Sequence, residues 1–284
     1  MLGIVLALTS AVAYGMSDFV GGLAARRAQA LRVVLVSYPI SALVIAVAAL
    51  FVDGAATAES LIWGVASGLV MALAMWWFYL ALAQGPMSVV SPLTAVIVAV
   101  LPVVVGIVMG ERPHPVAYLG IVLAMAAVLL VTKEGSATDR RTPAVSFTPR
   151  VRWLTLGAGS CFALCFVFTH QIAAGTGLWP LFVARGTASV VILAAALVTR
   201  QGALPARPII RLAIVIGLLD VAANVTMFYA FHNGLLSIVS VLIALYPAVT
   251  VGLAIAVLKE RVIHVQVTGL LLALVAITTV AVSG

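Results

Sequence analysis

Charge is what this sequence has least of. Of 284 residues, 8% are Asp, Glu, Lys or Arg and 64% are hydrophobic. A soluble domain carries roughly 25% charged residues, because its surface must face water. So small a polar supply excludes a water-soluble globule and makes the chain an integral membrane protein. Cysteine is scarce as well: Cys161 and Cys165 lie four apart in one apolar run, on one helix face. No further Cys and no nearby His/Asp/Glu cluster completes a metal or redox site, so inert packing is expected. The chain lacks a His-Glu-x-x-His motif and a nucleophile elbow, which argues against an embedded enzyme. No cofactor and no metal are expected. A formal charge of +7 does not imply nucleic acid, since the basic residues sit in short loops between apolar runs. A cleavable signal peptide is not expected either. Arg26 and Arg27 follow the first apolar run, whereas a signal peptide carries its basic residues before it.

Long apolar runs are what the sequence does have. Ten lie at about 3–25, 31–52, 60–83, 87–109, 115–132, 153–174, 178–199, 209–231, 235–258 and 264–283. Each approaches the roughly 20 apolar residues a helix needs to cross a bilayer. Barrel strands alternate apolar and polar over about ten residues, and these runs do not. The breaks carry turn and charge signals, such as Gln84-Gly85-Pro86, Glu111-Arg112-Pro113 and Gly175-Thr176-Gly177. Only 133–152 is longer and polar, and it reads as a cytosolic linker between units 1–132 and 153–284. With ten spans, Arg26, Arg27, Arg32, Lys133, Arg140, Arg141, Arg150, Arg152, Arg200, Arg207, Arg211, Lys259 and Arg261 fall on one side. The other side holds Arg112 alone. The positive-inside rule then puts both termini outside.

The two units repeat each other. "FYLALAQGPMSVVSPL" (78–93) matches "FYAFHNGLLSIVSVL" (228–242) with one gap, bringing Gly85, Ser88, Ser91 and Leu93 onto Gly234, Ser237, Ser240 and Leu242. Further on, Glu111-Arg112 meets Glu260-Arg261, and Gly120 meets Gly269. Five spans per copy is odd, so the second copy enters from the opposite face. Inverted repeats are a recurrent plan of secondary transporters, with the site at the interface near mid-membrane.

The stretches "WWFYLALAQGPMSVVSPL", "GER" (110–112), "KER" (259–261) and "YGMSDF" (14–19) resemble the drug/metabolite transporter superfamily, in its ten-span EamA-type branch. The resemblance covers essentially the whole chain. It implies an all-α membrane protein of ten transmembrane helices, in two inverted five-helix repeats around a central cavity. It also implies movement of metabolites, amino acids or toxic compounds across the bacterial cytoplasmic membrane, often outward. Family members often carry asparagine after the serine of the first-span motif, where this chain has Asp18.

Intramembrane charges are functional by default. Asp18 lies about 12 Å of helix rise before Arg26, and Asp220 about 13 Å after Arg211. Both are expected in the inner half of the membrane, lining a cavity open to the cytosol, with Asn224 one turn beyond Asp220. The competing reading makes both acids packing glue. Because burial favours a neutral carboxyl, Asp18 and Asp220 are also candidates for proton coupling. Arg185, seven residues into the seventh run, reads as an anchor for an anionic group, or as a salt bridge or outward snorkel. His170 is a third proton-coupling candidate, although an interfacial histidine is the blander reading; Gln171 lies beside it. Tyr14, Trp77 and Tyr79 are candidates for the cavity wall, against an aromatic belt. Of Trp76 and Trp77, at least one must turn to lipid or packing. Glu111-Arg112 and Glu260-Arg261 read as charged helix ends. Gly64-x3-Gly68 and Gly106-x3-Gly110 read as helix-packing spacings that also permit a homodimer. Pro92, Pro102 and Pro247 would kink the fourth and ninth spans. The expected partners are the lipid bilayer, a small-molecule substrate and protons. A passive channel and a non-transporting assembly or sensor subunit are the alternatives.

Overall fold

The computed structural model describes residues 1–25, 27–85, 87–131, 148–199, 205–259 and 264–283. Among them every regular element is helical: α1 (Leu2–Ala25), α2 (Ala30–Ala49), α3 (Ala58–Gln84), α4 (Met87–Val108), α5 (Pro115–Val131), α6 (Pro149–His170), α7 (Trp179–Val198), α8 (Arg207–His232), α9 (Leu236–Ile243), α10 (Tyr246–Leu258) and α11 (His264–Ser283). Lipid offers backbone groups no hydrogen-bond partner, so an apolar chain must satisfy them within the helix. The ten expected spans are all present. The ninth is divided into α9 and α10 by a tight turn at Ala244 and Leu245. Pro247 explains the position of the break, because it has no N–H to give the carbonyl one turn back. In span four, α4 runs as one helix through Pro92 and Pro102. The sixth span starts at Pro149 rather than 153. Thr148 accepts the Val151 N–H as its cap, and Pro149 sits in the first turn, where its missing donor costs nothing. Most of the expected linker 133–152 lies outside the described residues.

The packing obeys the symmetry of an inverted repeat. Helix α5 lies antiparallel to α11: Gly120 faces Val280 near the far end of α11, while Gly269 near its start faces Val131. Gly120 and Gly269 are the counterparts found in the sequence. Helix α1 packs on α8, and its counterpart α6 packs on α3, which is the counterpart of α8. Likewise α3 packs on α7 as α8 packs on α2, and α4 on α6 as α10 on α1; α2 and α7 pair with each other. Exchanging the two copies maps this set of neighbours onto itself. A pseudo-two-fold axis in the membrane plane does this while reversing chain direction.

Helices in lipid gain no hydrophobic free energy by meeting, so close approach over small residues must hold them. Gly64 and Gly68 press α3 onto the backbone carbonyls of Pro180 and Ala184 in α7. That spacing is therefore used within the chain. The largest buried cluster gathers Ala7, Phe166, Met227, Phe231 and the length of α9 at the end of the molecule that carries both termini. Every residue of α9 but Ile238 is buried, whereas α10 has no buried residue. Among the described residues, burial is therefore dense along α9, on the side of the termini, and sparse along α10, on the side of the 133–152 segment, the linker end.

Candidate functional site

A buried ion pair occupies the middle of the bundle. Asp220 lies midway along α8, about 18–20 Å of helix rise from either end. Its Oδ1 accepts from Arg185 Nη2 of α7 at 2.8 Å and from Asn224 Nδ2 at 3.1 Å. Its Oδ2 accepts from Ser41 Oγ of α2 at 2.6 Å. Asn224 also donates to the Asp220 carbonyl at 2.7 Å, which fixes its amide. Arg185 is 4% exposed and lies over the Tyr38 ring, 5.0 Å from its centroid, a cation–π distance. Of the readings open for Arg185, the structure shows the salt bridge rather than the outward snorkel: Asp220 offsets its charge internally. Beside the pair is a cleft lined by Ser67, Met71, Cys165, Thr169, Arg185 and Asn224, with about 10 Å³ of free volume, room for roughly one water. Ser67 Oγ lies 3.2 Å from both Cys165 Sγ and Thr169 Oγ1.

Asp18 stands apart from this pair and differs from it in kind. It is exposed and has no hydrogen bond or ion pair among the described residues. Val5, Val12 and Met16 form the lipid-facing stripe of α1. Asp18 is two residues from Met16, about 200° around the helix, so it faces inward. Its exposure is therefore to an internal vestibule. Tyr79 of α3 and Tyr246 of α10 are within electrostatic reach of the carboxyl. Among the described residues helix α3 makes no extensive contact with α1 or α10, and the space between them is the vestibule. Gly21 and Gly22 border open space there. Tyr14, one turn before Asp18, joins the two regions. Its ring is 6.3 Å from that of Tyr246, its hydroxyl lies 3.8 Å from Met227 Sδ, and Arg185 and Asp220 are within electrostatic reach.

The other sequence candidates divide. Tyr79 lies at the vestibule. Trp77 does not: its ring covers Gly157 and fills the seam between α3 and α6, while Trp76 is exposed on the lipid side. His170 sits at the termini end of α6, its ring edge-on to Phe231 at 5.8 Å, with Glu111 and His232 within electrostatic reach. Gly106 makes room both for the Glu111 carboxylate and for the α9 backbone at Ser237, while Gly110 serves the turn that carries Glu111. Glu260 lies outside the described residues. The sequence reading missed Tyr38, Ser41, Ser67, Thr169 and Tyr246. Of these only Tyr246, beside Pro247, carried a signal, because a broken span exposes the side chains at its break.

The comparisons follow this geometry. A family model described as the EamA-like transporter family matches residues 1–133 and again 151–282. The chain belongs to that family. A solved structure described as "Crystal structure of protein" overlays with a TM-score of 0.80 at 12% identity, covering 99% of this chain and 96% of that one. At that identity the likeness shows the fold alone. No curated protein matches the chain. The family makes this a multi-pass membrane transporter of the drug/metabolite transporter superfamily. Such transporters are generally not enzymes.

Proposed function

We propose that this protein is a secondary transporter of the bacterial cytoplasmic membrane. It exports a small metabolite, amino acid or amphipathic compound by alternating access. The observation that carries the reading is the contrast between the two acids. Asp220 is paired with Arg185 and held by three side chains midway along α8, while Asp18 has no partner among the described residues and faces the bundle interior. Substrate enters from the linker end, meets Asp18, Tyr79, Tyr246 and Tyr14, and advances to Arg185, Asp220 and Asn224. Arg185 receives an anionic group of the substrate. The basic residues cluster at the linker end, which is therefore cytosolic, and both termini are outside. Asp18 carries the coupling proton: both Asp220 oxygens are engaged, and His170 lies at the termini end.

The test is flux in proteoliposomes over a panel of zwitterions, carboxylates and amines, with and without an imposed pH gradient. Accumulation that requires the gradient and is lost in Asp18→Asn is expected. Absence of flux for every compound, or equal flux in that variant, overturns the reading.

A further inference from the structure

The turn after α4 is built to deliver one carboxylate. Helix α4 ends in paired hydrogen bonds, Glu111 N–H to the Gly106 carbonyl at 2.9 Å and Gly110 N–H to the Ile107 carbonyl at 3.0 Å. Gly110 has φ +98°, the left-handed conformation this ending requires. The turn aims the Glu111 side chain back over α4, where a Cβ at position 106 would collide with its carboxylate. From there the carboxylate crosses to the second repeat. It accepts the backbone N–H groups of Leu236 and, at 3.0 Å, Ser237, the first two residues of α9. A carboxylate on a helix N-terminus gains both from the unpaired donors and from the helix dipole.

The element so held is the buried half of the broken span. Helix α9 plugs the termini end, and α10, beyond the break, borders the vestibule. On α9 the buried hydroxyls of Ser237 and Ser240 have no hydrogen-bond partner among the described residues. Packing alone therefore leaves this helix polar groups that a moved position would satisfy.

We infer that Glu111 is a positioning residue of the transport cycle: its carboxylate latches α9 to the first repeat and keeps the termini end shut, and its release opens that end. The inference rests on the alternating-access reading.

The test uses Ser240→Cys in a chain carrying Cys161→Ala and Cys165→Ala, labelled with a membrane-impermeant methanethiosulfonate reagent in spheroplasts and in inverted vesicles. Ser240 is fully buried in α9. Glu111→Gln keeps the shape but loses the charge, and is expected to raise labelling from the termini side about tenfold, the scale of losing a charged cap. Gly106→Ala leaves Glu111 in place but displaces its carboxylate, and is expected to do the same; Arg112→Gln leaves the rate unchanged. Equal labelling in Glu111→Gln and its parent overturns the inference. So does a parallel rise at Ile45→Cys, a fully buried α2 position, since that reports general loosening. A chain that shows the latch effect but moves no substrate sinks the transport reading instead.

Discussion

Breaking the Arg185–Asp220 pair from one side should harm the protein far more than deleting it from both. At 2.8 Å and an effective dielectric of about 20, the attraction is about 6 kcal/mol. Withdrawing each ion from water costs several kcal/mol, so the intact pair contributes little net stability. Asp220→Asn keeps the shape and most hydrogen bonds but strands a guanidinium that is 4% exposed. Stranding one buried ion costs about 3–5 kcal/mol, a melting shift on the order of 10 °C for a chain of this size. Arg185→Met strands the carboxylate with a similar loss. Arg185→Met with Asp220→Leu removes both charges and leaves Ser41 and one Asn224 donor less well satisfied, about 1 kcal/mol each. The double variant should therefore melt within a few degrees of the parent, the same order as those two losses. Thermal unfolding in detergent, followed by tryptophan fluorescence, makes the comparison. A double variant as unstable as the single ones, or an Asp220→Asn protein that melts like the parent, would refute the electrostatic reasoning.

Three further outcomes are expected. Asp18→Asn, exposed and without a partner, should leave the melting temperature within about 2 °C, as exposed substitutions change stability by about 0.5 kcal/mol or less, while pH-gradient-driven accumulation disappears; a large melting shift would show Asp18 to be structural. Trp77→Ala opens a void against Gly157 and should cost roughly 3 kcal/mol, the low end for a large aromatic because the ring is half-buried, without altering substrate KM; a KM change with unaltered melting would put Trp77 in the binding wall. Pro247→Ala restores an N–H at the α9–α10 break and should lower turnover at unchanged melting or better; unchanged turnover would mean the break does not bend during transport.

The spans were legible because lipid enforces them. A chain without water must make helices of bilayer length, and that shows as runs of apolar residues whatever their order. The repeat was legible in Gly120 and Gly269, because the same close contact is made twice. The pairing of Arg185 with Asp220 was not. The two are 35 residues apart, and sequence gives neither the rotation nor the tilt that turns α7 toward α8. Gly106-x3-Gly110 was read only in part: Gly106 does lie against the α9 backbone, but it also admits the Glu111 carboxylate, and Gly110 makes a left-handed turn. For the tryptophans, adjacency forced Trp76 and Trp77 onto different faces. The choice between packing and cavity for Trp77 rested on Gly157, eighty residues along the chain. Glu111 looked like an ordinary charged span end, because its partners are backbone N–H groups, which every residue type but proline supplies.

The two copies share their ends and differ at one midpoint. Gly110 and Lys259 are counterparts, and both adopt positive φ, +98° and +53°, so spans four and nine each end on a left-handed residue. Inside the span the likeness stops. The counterpart of Pro247 is Val98, 7% exposed within unbroken α4. A valine can donate the hydrogen bond that a proline cannot, so the break belongs to the second copy permanently and does not pass to the first. Two fully equivalent repeats would exchange conformations when the cavity changes sides. Here the proposed cycle has one built-in hinge, between a plug held by Glu111 and a half-helix beside Asp18. The side of the bundle that opens is then set by which half of span nine is held, and the buried Arg185–Asp220 pair is the fixed point about which it moves.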